Sequence, residues 1–160
     1  MLQKPAGRLQ RCARALLLPV MMIALGFAAT GCDEPAVVTQ VKLIAAAESG
    51  DAAEVERLLG EGADPNYQVA ESPTALMAAA LGGHGGIVDT LLDKGAAIDI
   101  QAKNGVTPLF IASSSGHTEI VAALLARGAD TTPKFEDGRT ALEVAVNPAI
   151  EEMLRAAEKR

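Results

Sequence analysis

The side chains of this 160-residue chain that could carry chemistry are two histidines, two cysteines, a run of three serines and several paired acids. His84 and His117 could bind a metal or move a proton. A metal centre needs three or four converging ligands, however, and these two lie 33 residues apart. Each follows a glycine, Gly83 and Gly116, at the same point of that step, and each is read as a structural histidine bonding across a loop. Ser113-Ser114-Ser115 could supply a nucleophile, but no histidine and acid are set in the sequence to activate one. These serines are read as the solvated end of a helix. Glu54 with Glu56, and Glu151 with Glu152, could act as acid and base, yet their spacing fits solvated helix faces. Gly82-Gly83-His84-Gly85-Gly86 is glycine-rich but lacks the lysine of a phosphate loop. It reads as a turn between two helices. No catalytic residue, metal ligand, cofactor or small-molecule substrate is expected.

Composition narrows the remaining classes. Aromatic residues make up 2% of the chain, with no Trp. That argues against an aromatic-lined cofactor pocket and against base-stacking capture of single strands. The formal charge of −6 argues against a duplex-binding surface, which would be basic.

The cysteines belong to a different kind of chemistry. Ahead of Asp33 the only charged side chains are Lys4, Arg8, Arg11 and Arg14, followed by an uncharged run from Ala15 to Cys32. A basic stretch, a short apolar stretch and small residues describe a secretory signal. Here the small residues are Ala28-Ala29-Thr30-Gly31, with Cys32 next. This resembles the lipobox of bacterial lipoproteins, except that Ala29 stands where the box usually has Leu. The resemblance implies a signal over residues 1–31, a lipidated Cys32, and a short tether over 32–39. An uncleaved membrane anchor and ordinary signal cleavage are the alternatives. The 18 uncharged residues reach the threshold for a span, but Pro19, Gly26 and Gly31 make a poor helix. Four basic residues in front and acids behind place the rest outside the cytoplasm, facing the periplasm on the lipoprotein reading. Asp33 after the cysteine resembles the signal that retains lipoproteins in the inner membrane.

With Cys12 removed and Cys32 lipidated, no thiol or disulfide remains to staple the domain. From Cys32 onward there are 10 basic and 20 acidic side chains, a net charge of −10. Such a charge favours a basic partner.

The chain after residue 40 is repetitive. Thr74, Thr107 and Thr140 are 33 apart, and Leu43, Leu76, Leu109 and Leu142 keep the same step. So do Ala46, Ala79, Ala112 and Ala145, Gly50, Gly83 and Gly116, and the pairs Leu58-Leu59, Leu91-Leu92 and Leu124-Leu125. Gly62-Ala63, Gly95-Ala96 and Gly128-Ala129 complete the register. The step and the core Thr107-Pro108-Leu109-Phe110-Ile111-Ala112 resemble the ankyrin repeat. The fold expected is an all-α solenoid of about four helix-turn-helix repeats with hairpin-like loops. Their bounds are about 40–72, 73–105, 106–138 and 139–160. Thr should N-cap each first helix, with Pro108 at its first position, and Gly should end it. The last repeat reads about four residues short, with Asn147-Pro148 making its turn.

The resemblance implies a protein-binding module rather than an enzyme. Partners of such arrays usually lie along finger tips and the inner side of the first helices. Carried onto this chain, the tips offer Tyr67, Gln101, Lys103, Lys134 and Phe135. The inner helix positions offer Met77, Leu81, Phe110, Ser114 and Glu143. The family pattern has His in the slot held here by Ile44, Met77, Phe110 and Glu143, so Met77 and Phe110 are expected as exposed contact anchors, against the alternative of packing between repeats. The partner expected is another exported or envelope protein. Related small exported ankyrin proteins support a periplasmic catalase or neutralise a toxin as immunity proteins, and a structural role in an envelope assembly is a further alternative.

Overall fold

The computed structural model describes residues 34–68 and 72–159, with side chains from Val37 onward. The expected signal over 1–31 and the expected lipidation site Cys32 lie outside the described residues. Residues Asp33–Arg160 form one compact unit, whose buried core runs from Leu43 to Leu154.

Seven α-helices follow one another: α1 (Glu34–Ser49), α2 (Ala52–Gly60), α3 (Ala75–Gly82), α4 (Gly85–Asp93), α5 (Pro108–Ser115), α6 (Thr118–Ala126) and α7 (Pro148–Ala157). Among the described residues there is no strand. Helices α1, α3 and α5 pack side by side as an inner layer, and α2, α4, α6 and α7 as an outer layer. Each inner helix turns back onto its outer partner, which is the repeat architecture that the 33-residue step predicts.

Local signals explain the helix ends. Thr74 Oγ1 accepts the Met77 N–H at 3.3 Å, and Thr107 Oγ1 accepts the Phe110 N–H at 3.2 Å. Both threonines cap helices whose first N–H groups have no partner within the helix. Pro108 follows its cap at the position where a missing N–H is harmless. Gly83 and Gly116 close α3 and α5 in the left-handed region, at φ 78° and 80°.

The repeated leucines form the interior. Leu43, Leu76 and Leu109 are buried on the inner layer, and Leu58, Leu91 and Leu124 on the outer. The second leucine of each pair, Leu59, Leu92 or Leu125, packs half-buried against that core. Ala79 and Ala112 are wholly buried and Ala46 nearly so, which lets neighbouring inner helices approach closely.

Four expectations change. The first helix begins at Glu34 rather than near Val41, so most of the expected tether is helical. In the last repeat, residues 141–144 form successive turns instead of an inner helix. Between Thr140 and Asn147 there is too little chain for two helical turns, and Pro148 pushes Asn147 to extended φ/ψ of −141° and 154°. The register there also shifts. Buried Ile150 and Leu154 take the places of Ile120 and Leu124, a step of 30, so the repeat is three residues short rather than four. Finally, Ser113 is not solvated: it is wholly buried, at the position of Ala47 and Ala80.

Candidate protein-binding face

The fingers follow α2, α4 and α6: 61–74, of which 61–68 and 72–74 are described, then 94–107, then 127–140 ahead of the turns of the last repeat. Two are closed as hairpins by backbone bonds one repeat apart. The Ala102 N–H donates to Val106 O at 2.9 Å, and the Phe135 N–H to Arg139 O at 2.8 Å. The hairpin-like loops expected from the family pattern are therefore present, although they form no regular strand.

A ladder of side-chain oxygens ties the fingers in register. Gln40 Oε1 accepts the Asp64 N–H at 2.8 Å. Asn66 Oδ1 accepts the Ala97 N–H at 2.6 Å, while its Nδ2 donates to Gly95 O at 3.0 Å. Asp99 Oδ1 accepts the Asp130 N–H at 2.9 Å. The donating N–H groups of Asp64, Ala97 and Asp130 follow the 33-residue step. The sequence reading missed Asn66 and Asp99; the recurrence of an Asx residue at one step would have flagged them. At the tips, the Gln68 amide donates to Gln101 O at 3.2 Å. A Cβ on Gly105 would stand 2.6 Å from Lys134 O, so the second and third fingers approach by their backbones.

The histidines anchor the opposite ends of the helix pairs. His84 Nε2 lies 3.1 Å from Glu48 O, and His117 Nε2 lies 3.1 Å from Leu81 O. Each ring thus joins the carbonyl end of the preceding inner helix, the structural role read from the sequence. Asn147 does related work in the last repeat. Its Oδ1 caps α7 through the Ile150 N–H at 2.9 Å, and its Nδ2 reaches Thr118 Oγ1 at 3.2 Å.

The expected contact residues divide. Met77 is 0% exposed, so it is no exposed contact. Its helix α3 is central in the inner layer, flanked by α1 and α5, with every residue from Ala75 to Ala80 buried. A flexible Met there fills interior space. Phe110 is half-buried and stacks on Phe135, with ring centroids 5.2 Å apart and an interplanar angle of 28°. The two rings were expected on separate parts of the face; the fold makes them one unit. Their spacing of 25 residues fits no multiple of the repeat, so the register did not reveal it. Tyr67 is half-buried beside its own turn. Leu81, Gln101, Lys103, Lys134, Ser114 and Glu143 are exposed. Two of these also serve the scaffold: Ser114 Oγ donates to Ile111 O at 3.0 Å, and Glu143 Oε2 accepts the Thr140 N–H at 2.7 Å.

Electrostatics on the fingers and outer helices follow from exposed pairs. Arg139 beside Asp137 holds that carboxyl below its ordinary value, and the Thr132 N–H and hydroxyl do the same for Asp130. Arg127 bridges Asp93 at 2.6 Å and Asp89 at 3.2 Å, linking α6 to α4. Among the described residues no group of three or more His, Cys, Asp or Glu is placed to hold a metal ion.

A family model described as ankyrin repeats (3 copies) matches residues 43–135 and 101–157. The chain belongs to the ankyrin-repeat family. The matched span contains α2 to α7, the C-terminal part of α1, the ladder rungs of Asn66 and Asp99, and both histidine ties. Ankyrin repeats are protein–protein interaction modules. No curated protein matches the chain.

Proposed function

We propose that this ankyrin-repeat protein is a membrane-tethered, exported binding module that holds another exported protein as an adaptor or inhibitor. The observation that carries the binding face is the exposure of Leu81, Gln101, Lys103 and Lys134 on a scaffold whose repeated leucines and alanines are buried or half-buried. Leu81, 57% exposed at the C-terminal end of the inner helix α3, suits an apolar contact anchor, and the polar finger tips at the other end of the helix layer suit a polar rim. The stacked pair Phe110–Phe135 adds a rigid aromatic step to the same face. Export, periplasmic orientation and lipidation are supported by the basic stretch, the apolar run and the small residues before Cys32. An inner-membrane position is favoured by Asp33. The net charge of −10 after the signal favours a basic partner and speeds its encounter.

The test uses residues 33–160 as bait on periplasmic extract, with L81E and K134E variants beside the parent. A single stoichiometric partner captured by the parent and lost by the variants, with melting temperatures unchanged, supports the face. Capture unaffected by both variants refutes it. The tether is tested separately by C32S: a chain that stays membrane-bound and uncleaved would show an uncleaved anchor instead.

A further inference from the structure

The two ends of the solenoid differ. At the C-terminal end, α7 turns Glu152 and Arg155 outward and exposed Lys159 follows it, a polar cap of the kind that keeps terminal repeats soluble. At the N-terminal end, α1 leaves Val37, Val38 and Val41 at 49–50% exposure, three of the five exposed large hydrophobic side chains among the described residues. With Ala45 they run down one side of α1 at helical spacing, and Ala52 and Ala53 of α2 are exposed as well. In a repeat array this edge would normally be covered by a neighbour or made polar.

We infer that the α1 stripe is a membrane-docking edge, whose occupant is the interfacial layer of a lipid bilayer. This rests on the reading of Cys32 as the tether point. Helix α1 begins two residues after Cys32, at most ~7 Å of extended chain. Val41 lies seven residues into the helix, only ~10 Å along its axis. The polar layer on each side of a hydrocarbon core is ~5–7 Å deep. A chain held at Cys32 by acyl groups therefore keeps the stripe within reach of that layer. The stripe is uncharged, and exposed Lys42 lies one turn from Val38, where its stem can follow apolar surface and its ammonium can meet phosphate headgroups. Docking by this edge would also fix which way the fingers point from the membrane.

The domain has no Trp, so V38W is a single spectroscopic reporter. Residues 32–160 carrying V38W are coupled through the Cys32 thiol to maleimide lipid in phosphatidylcholine vesicles. Chemical coupling makes the result independent of natural lipidation, so a failure of the tether reading is seen in C32S fractionation and a failure of docking is seen here. The expected result is a blue-shifted emission quenched by brominated lipid, absent from the E152W protein coupled in the same way. Adding V37S and V41S should lower the docked-to-free ratio about tenfold, from the apolar area these side chains withdraw from water, with an unchanged melting temperature. Emission of V38W identical on vesicles and in solution would overturn the inference. So would a blue shift that appears without vesicles and grows with protein concentration, since it would assign the edge to a second copy of the chain.

Discussion

Replacing Ser113 with Ala should stabilise this domain. Ser113 is wholly buried in α5, and its Oγ has no hydrogen-bond partner among the described residues. A hydroxyl withdrawn from water without a partner costs about 1–3 kcal/mol. Ala is also the better helix former, by about 0.5 kcal/mol. The site accepts Ala without repacking, because Ala47 and Ala80 fill the equivalent positions in the two preceding repeats at 0% exposure. Against these gains stands the small void left by one oxygen atom. The net expectation for S113A is a gain of about 1–2 kcal/mol, or roughly 3–8 °C in Tm for a domain of this size. Urea denaturation followed by circular dichroism measures it on residues 33–160, and A80S supplies the reverse experiment with a loss of similar size. A stability that is unchanged or lower in S113A would refute the reasoning, and would mean that the hydroxyl is bonded within the helix or to water.

Three further outcomes follow from the same geometry. G83A should cost about 2–3 kcal/mol, because an L residue at φ 78° is strained and its Cβ would stand 2.8 Å from His117 Cε1, displacing the His117–Leu81 bond; G128A, with φ 88° and nothing within 4 Å, should cost about 1–2 kcal/mol, and equal melting temperatures for the two would sink the histidine's role. A double-mutant cycle of F110A and F135A should give a coupling of about 0.5–1.5 kcal/mol, and strict additivity would show that the stack does not bind finger to helix. Asp130 and Asp137 hold carboxyl pKa values below the ordinary 3.8, so their contribution is present above that value and is lost as pH falls through the lower folded pKa. Denaturation midpoints should therefore show no effect of these two groups between pH 7 and 5 and a decline below about pH 4, and R139A, which keeps the backbone N–H of residue 139, should reduce Asp137's share of that decline.

Much of this fold was legible because a repeat writes each structural demand several times. Thr at a cap, Gly where the backbone turns left-handed, and Leu pairs on an outer helix each recur at one step, so helix order, helix ends and the core followed from local chemistry. The structural role of His84 and His117 was legible for the same reason. Features outside the step needed three dimensions. The Phe110–Phe135 stack joins residues whose separation carries no periodic signal, and the burial of Met77 depends on α1 and α5 flanking α3, not on its own neighbours in sequence. Ser113 looked like part of a polar helix end, but only packing shows which of three serines turns inward. The last repeat could be seen to be short, while its exchange of a helix for turns depended on how little chain remains between Thr140 and Pro148. In the same way, the apolar stripe of α1 became an edge only once the neighbouring helices had buried the other side of that helix.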